Sequence, residues 1–116
     1  MKNDSMTFTL SVRLFRGEKC FGPGIAELLK RVDRTRSLRS AAAEMNLAYS
    51  KAWRIVKETE TALGFKLLDS QTGGKHGGGA VLTQEAQDIL SRFDRFTGEL
   101  RAFAQDAFTK NFGDMY

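Results

Sequence analysis

The residues best suited to chemistry in this sequence are basic and hydrogen-bonding side chains on one predicted helix over residues 49–63. At the helical period they share an outer side, which carries Tyr49, Ser50, Lys51, Arg54 and Lys57. A helix fits the DNA major groove, and Arg54 has the geometry to pair with a guanine, worth about 1–3 kcal/mol of discrimination. Tyr49 and Ser50 suit a thymine methyl or a base edge, whereas Lys51 and Lys57 suit phosphates. The same residues would also occur on a helix face that only contacts solvent, so this pattern alone does not decide between that alternative and DNA binding.

The opposite side of this helix is predicted to be buried. Its apolar residues are Ala52, Trp53, Val56 and Leu63, and Gly64 ends the helix as a C-cap residue. Trp53 is therefore predicted to lie in the core and not to serve as a platform for base stacking.

A second, shorter helix precedes the basic one. Ser37 is the predicted N-cap of an alanine-rich helix over 38–45, and Asn46-Leu47 breaks the chain. Two helices joined by so tight a break, the second of them basic, are typical of a helix-turn-helix, which we predict over 37–64. Ser37 and Arg39 belong to the predicted DNA-binding residues.

The first part of the chain predicts a strand and a supporting helix. Apolar and polar residues alternate over 7–16, the pattern of a half-buried strand. Pro23 then suits the first turn of a helix. The residues that form one face of this helix are Ile25, Leu28, Leu29 and Val32.

After the basic helix, two short apolar runs flank a glycine-rich loop over 73–79. This order predicts a β-hairpin with a long tip, a wing over 65–82. Lys75 and His76 in the loop are predicted DNA-binding residues, because bare glycine backbone permits close approach to phosphates. A loop without a role is the alternative. A nucleotide-binding phosphate loop is excluded, because His76 stands where Ser or Thr would hold magnesium.

Thr83 is the predicted N-cap of a long helix that follows it. Its apolar residues recur at alternating gaps of three and four, a coiled-coil seam made of Ala86, Ile89, Phe93, Phe96, Leu100 and Phe103. Because a monomer would expose much of this stripe, we expect a homodimer, with the first two turns packed on the domain itself. A two-fold dimer would set two basic helices about 34 Å apart, on successive major grooves. The predicted boundaries are 1–82 for the DNA-binding unit, 83–107 for the dimerisation helix and 108–116 for a tail.

Composition limits the alternatives. The 116 residues are 41% hydrophobic, which suits one domain, and the net charge of +4 is concentrated at the centre of the chain. The single His and single Cys provide no triad, metal-ligand spacing or disulfide, so we expect neither an enzyme nor a cofactor. No apolar run is long enough for a signal peptide or a membrane span, which favours a cytoplasmic protein.

Several segments together resemble the N-terminal domain of the molybdate-dependent transcriptional regulators, the ModE family. The segments are Phe21-Gly22-Pro23-Gly24, the alanine-rich helix after Ser37, Ala48-Tyr49-Ser50-Lys51-Ala52-Trp53, and the run from Thr72 to Thr83. More distantly, they are similar to the DNA-binding domain of LysR-type regulators. The resemblance implies a mainly α winged helix-turn-helix with a small β wing, dimerising through its long helix on a palindromic operator. It also implies that residues 49–57 enter the major groove.

Three departures from the family pattern affect these expectations. The chain stops after the long helix, so we expect it to lack the molybdate-sensing domain. Ala48 stands where a serine often caps the basic helix, at a cost of about 0.5–2 kcal/mol unless Asn46 or DNA compensates. His76 stands where a glycine is common. A protein-interaction subunit, pairing through its long helix with a separate effector-sensing protein, is the alternative to a DNA-binding regulator.

Overall fold

The computed structural model describes residues 5–71 and 79–115 of the chain. Its elements are β1 (Leu14–Arg16), β2 (Glu18–Phe21), α1 (Pro23–Thr35), α2 (Leu38–Glu44), α3 (Tyr49–Leu63), β3 (Leu68–Gln71), β4 (Gly79–Leu82) and α4 (Gln84–Phe112). The strands form two separate antiparallel pairs, β1 with β2 and β3 with β4. The predicted fold class, mainly α with a small β wing, is confirmed. None of the helices in the described part is long and apolar enough to cross a membrane.

The core is organised around α1, whose apolar face is buried as predicted. Leu28, Leu29 and Val32 are almost completely shielded from solvent, and Pro23 occupies the start of the helix. Phe21 from β2 and Leu67 from the entry to the wing complete the centre of the core. The spacing of i, i+3, i+4 and i+7 thus reports the buried face correctly, because one stripe of a helix meets the rest of a small domain.

The N-terminal strand is shorter than the predicted 7–16. Pairing begins only at Leu14, opposite Phe21, and residues 5–13 lie outside any helix or strand. The reason is the length of the partner strand, which ends where Pro23 starts α1, so no described strand remains to pair with the earlier residues. Phe8 packs instead on the long helix, with its ring centroid 5.0 Å from that of Phe108.

Two local features fix the corner between α1 and α2: a residue in the left-handed conformation and a helix cap. Arg36 adopts a left-handed backbone conformation with φ of 60°, which ends α1. Ser37 then caps α2 as predicted, because its Oγ accepts a hydrogen bond from the N–H of Ser40 at 3.0 Å. The turn between α2 and α3 uses Asn46, which has a φ of 56° and provides the break that the sequence predicts.

The wing is a two-stranded ladder that is joined to the rest of the domain at its base. Leu68 pairs with Leu82 at one end of the ladder and Gln71 with Gly79 at the other. Thr83 connects this base to α4: its hydroxyl donates to the carbonyl of Lys66 at 2.7 Å and accepts from the N–H of Ala86 at 3.0 Å. The predicted cap at Thr83 is therefore confirmed, and one side chain fixes both the wing and the start of α4.

Helix α4 extends to Phe112, so the predicted tail at 108–116 is wrong for its first five residues, which are helical. At about 1.5 Å per residue the helix is about 43 Å long. The N-terminal segment and α4 together line a groove that includes Arg101, Gln105 and Phe108. At the helical period, these three residues lie on the side of α4 opposite Phe103.

Candidate nucleic-acid interface

The outer face of α3 is solvent-exposed along its first turns. Ser50, Lys51 and Arg54 are all exposed, whereas Ala52 and Val56 on the inner side are buried in the core. The side chain of Arg54 is 66% exposed, and its nearest acidic partner, Glu58, is 3.8 Å away and itself exposed. An exposed pair at this distance is weak, so the guanidinium of Arg54 is available to a ligand.

Arg39 and Tyr49 come together although one belongs to α2 and the other to α3. The guanidinium carbon of Arg39 lies 4.3 Å from the ring centroid of Tyr49, a cation–π geometry. Both side chains remain exposed, so the two predicted DNA-binding residues form one surface at the start of the helix-turn-helix.

Lys57, predicted to hold a phosphate, has an intramolecular partner. Its Nζ lies 3.3 Å from Oε1 of Glu60, whose side chain is only 11% exposed. The other carboxylate oxygen of Glu60 accepts a hydrogen bond from the N–H of Leu67 at 2.8 Å. Glu60, which was not among the predicted site residues, therefore anchors α3 to the entry of the wing and draws Lys57 to the same side.

Trp53 is not a core residue, and that prediction is wrong. Its side chain is 49% exposed, and Nζ of Lys57 lies 5.5 Å from the centroid of its ring. The buried stripe of α3 is narrow, because it is formed by small residues at 52 and 56. Trp53 follows Ala52 by about 100° of helical rotation, which is enough to leave the stripe. Trp53 lies four residues after Tyr49, and residues four apart share one side of a helix. Because Tyr49 was predicted to be on the outer side, this spacing could have indicated that Trp53 is exposed as well.

The start of α3 has no side-chain cap. Ala48 occupies the N-cap position, and its methyl side chain cannot accept a hydrogen bond from the first turn of the helix. Asn46 does not replace it, because it forms the left-handed turn before the helix. The backbone of Ala48 is engaged as an acceptor for the N–H groups of Lys51 and Ala52.

The second strand of the wing lies beside the corner that leads into α2. The N–H of Ala80 donates to the carbonyl of Arg36 at 3.0 Å, which places β4 against this corner. Lys75 and His76, the predicted DNA-binding residues of the wing, lie outside the described residues.

The corner itself is supported by charged side chains of α1 and α2. Arg31 bonds Glu27 within α1 at 2.8 Å and reaches Glu44 of α2 at 3.2 Å, and Arg34 also pairs with Glu44. The hydrogen bond to Glu27, followed by the contacts with Glu44, raises the pKa of Arg31 above its ordinary value. Glu44 therefore holds α2 against α1 through ion pairs with two arginines of α1.

The predicted dimer seam divides into two parts. Ala86 and Phe93 are buried in the protein's own core, and the rings of Phe93 and Phe21 meet edge to face at 5.1 Å, so these two residues are unavailable to a partner. Ile89 is partly buried against the same core. Phe96 and Phe103 are exposed, by 44% and 75%, and Leu100 between them is half-buried. Core packing covers more of the seam than the two turns expected, because α1 and β2 reach as far as Phe93.

Two helices joined by a tight left-handed turn, followed by a hairpin and a long helix, define the winged helix-turn-helix class. In agreement with this geometry, residues 26–87 match the family of bacterial regulatory helix-turn-helix proteins of the lysR type. The chain therefore belongs to the lysR family of bacterial regulatory helix-turn-helix proteins.

Several relatives are transcriptional regulators named ModE, which confirms the resemblance predicted from the sequence. The chain is 32% identical over 89 residues to the DNA-binding transcriptional dual regulator ModE of Escherichia coli K12, covering 77% of this chain and 32% of that protein. It is 31% identical over 96 residues to the transcriptional regulator ModE of Haemophilus influenzae, covering 81% and 36%. It is 36% identical over 66 residues to the molybdenum-pterin-binding protein MopB of Rhodobacter capsulatus, covering 57% and 24%. The chain thus spans about a third of the length of the ModE relatives it matches.

Proposed function

We propose that the chain is a sequence-specific, DNA-binding transcriptional regulator that binds an inverted-repeat operator as a homodimer. The observation that carries this proposal is the exposed outer face of α3, where Arg54 projects into solvent beside Ser50 and Lys51 while the inner face is buried. Membership in a family of regulatory helix-turn-helix proteins supports the same conclusion.

In this proposal α3 enters the major groove and Arg54 reads a guanine. The guanidinium can donate two parallel hydrogen bonds to O6 and N7 of one guanine, which no other base accepts in that pattern. Lys51 on the same face neutralises a phosphate, and Arg39 does so from α2. Lys75 and His76 would contact the backbone from the wing, as expected for a glycine-rich tip.

The proposed dimer forms through the exposed part of α4. Phe96, Leu100 and Phe103 recur at gaps of four and three, so they lie along one side of the helix. The N-terminal segment packs on the opposite side of α4, around Phe108, and leaves this stripe open to a second copy. Pairing two identical stripes about a two-fold axis would bring two α3 helices to half-sites about one helical turn apart.

The experiment that tests this function is selection of bound duplexes from a random DNA pool by the purified protein at near-physiological salt. Enrichment of an inverted repeat with half-sites about 10 base pairs apart is the expected result. Affinity for this site should also fall steeply as salt increases, because bound phosphates release counterions. Salt-sensitive binding without enrichment would contradict sequence reading. Co-purification of a second polypeptide on α4 would favour the protein-interaction subunit instead.

A further inference from the structure

Two aromatic side chains lie one turn apart on α3, and a cation covers each ring. The guanidinium carbon of Arg39 is 4.3 Å from the ring centroid of Tyr49, and Nζ of Lys57 is 5.5 Å from that of Trp53. Tyr49 is 40% exposed and Trp53 49% exposed. We name these four residues the aromatic strip.

The aromatic strip follows the flank of α3 and not its outermost face. At about 100° per residue, Trp53 lies between the buried side of Ala52 and the outward side of Arg54. The flank lies on the side of the segment that leads into the wing, because Lys57 at its far end is paired with Glu60 at 3.3 Å. Glu60 in turn accepts the N–H of Leu67, at the entry to β3. A chain of contacts through Lys57 and Glu60 therefore links the ring of Trp53 to the backbone at the entry to the wing.

When a helix lies in the DNA major groove, its flank faces the sugar-phosphate backbone that borders the groove. Side chains on the outer face of a groove-bound helix reach base edges, and those beside it reach sugars and phosphates. An indole suits this border, because its ring buries apolar area while its N–H donates to an acceptor. Within residues 5–71 and 79–115, the indole N–H of Trp53 donates no hydrogen bond to a protein acceptor, and the ring has a cation–π contact with Lys57.

We propose that Trp53 contacts the DNA backbone beside the major groove, with its ring against a deoxyribose and its N–H donated to a phosphate. The inference rests on the proposed function, and it adds a binding residue that works with Lys57 on the same stretch of backbone. Because sugars and phosphates are alike in all sequences, the contact strengthens binding without choosing the sequence.

Substitutions separate this contact from a purely electrostatic one. Trp53→Ala should weaken binding to all duplexes by about tenfold, the size of one hydrogen bond to a charged group. Trp53→Phe keeps a ring and should fall between that variant and wild type. Neither change removes a charge, so the slope of log affinity against log salt should stay as in wild type. Lys57→Gln should lower that slope by about one.

The wild-type protein supplies the decisive measurement, because Trp53 is the single tryptophan of the chain. A labelled duplex carrying the selected inverted repeat, and one of random sequence, would be titrated with the full chain. Anisotropy of the label reports DNA binding. Tryptophan emission and its quenching by acrylamide, a neutral molecule, report the surroundings of Trp53 in the same samples.

The expected result is a rise in anisotropy together with altered Trp53 emission and weaker acrylamide quenching on both duplexes. A rise in anisotropy with emission and quenching unchanged would overturn the inference and leave the proposed function standing. Trp53 that acrylamide already fails to reach in the free protein would also overturn it, since a protein surface would then cover the ring. No rise in anisotropy would refute the proposed function and this inference with it.

Discussion

The backbone N–H of Ala80 donates a hydrogen bond to the carbonyl of Arg36 at 3.0 Å, so the second strand of the wing is joined to the corner where α1 ends and α2 begins. Arg36 takes a left-handed conformation there. Gly79 precedes Ala80, and a Cβ at Gly79 would lie 2.9 Å from the same carbonyl oxygen. The wing and the helix-turn-helix thus meet at a contact between two backbones that leaves no room for a side chain.

Gly79→Ala should destabilise the protein by about 1–3 kcal/mol, because the added methyl must push the strand away from a backbone atom that cannot rotate aside. Chemical denaturation at fixed protein concentration measures the change in the free energy of unfolding. Gly98→Ala is the matched control, since a Cβ at Gly98 meets nothing within 4 Å. That substitution should stabilise α4 by about 0.5–1 kcal/mol. Equal stability of the Gly79→Ala protein and wild type would show that this backbone contact does not fix the wing.

Thr83→Ala should lower the free energy of unfolding by about 0.5–2 kcal/mol, the range for loss of a helix cap. The hydroxyl of Thr83 both caps α4 and bonds the carbonyl of Lys66, and the residue is almost fully buried. Thr83→Ser keeps the hydroxyl and should recover most of the loss. Thermal melts of the three proteins provide the comparison, and a serine variant no more stable than the alanine variant would rule out the hydroxyl as the cause.

Glu60→Ala should cost about 1–3 kcal/mol in folding stability, because it leaves the N–H of the fully buried Leu67 without its acceptor. Glu58 lies on the same helix but is exposed, and its ion pair with Arg54 spans 3.8 Å. Glu58→Ala should therefore change stability by less than about 0.5 kcal/mol. Urea titrations of both variants test the contrast. If the two substitutions cost the same, the carboxylate of Glu60 does not anchor α3 to the wing.

Arg54→Ala should reduce the preference for the selected operator over random DNA by about tenfold or more, because a bidentate contact to one guanine is lost. Binding to random DNA should weaken less. The ratio of the two dissociation constants, measured at the same salt concentration, gives the preference. Lys51→Ala, on the same face, should weaken both kinds of binding together. An Arg54→Ala protein that keeps the wild-type ratio would mean that another residue reads the operator.

Phe103→Glu should convert the proposed dimer to a monomer, because it places a charge on the apolar stripe of α4, at its most exposed residue. The side chain of Phe103 is 75% exposed, so the fold of the single chain should survive. Sedimentation measures the mass in solution, and circular dichroism measures the helix content. Phe15→Glu is the matched control, because Phe15 on β1 is similarly exposed, at 67%, but lies outside the apolar stripe of α4. It should leave the dimer intact. A Phe103→Glu protein that remains dimeric would place the interface elsewhere.

The sequence by itself was enough to predict the order of the main helices, the wing and the caps at Ser37 and Thr83. The period of the hydrophobic residues shows which side of a helix or strand is apolar, whatever that element packs against. Capping and turn residues show where each element begins and ends. The segments around Tyr49 and the wing were specific enough to indicate the family.

Only the tertiary structure decided how wide each buried face is and what covers it. Trp53 belongs to an apolar pattern, but the core of this small domain reaches only as far as Ala52 and Val56, and the indole stays in solvent. Phe93 and Phe103 belong to the same predicted seam. Phe21 covers Phe93, whereas no described residue covers Phe103. Residues 7–13 alternate like a strand, but a strand requires a partner, and the partner ends at Phe21. Periodicity is a property of one segment, whereas the extent of burial depends on its neighbours, so periodicity alone predicted which side of a helix is apolar but not how much of that side is covered.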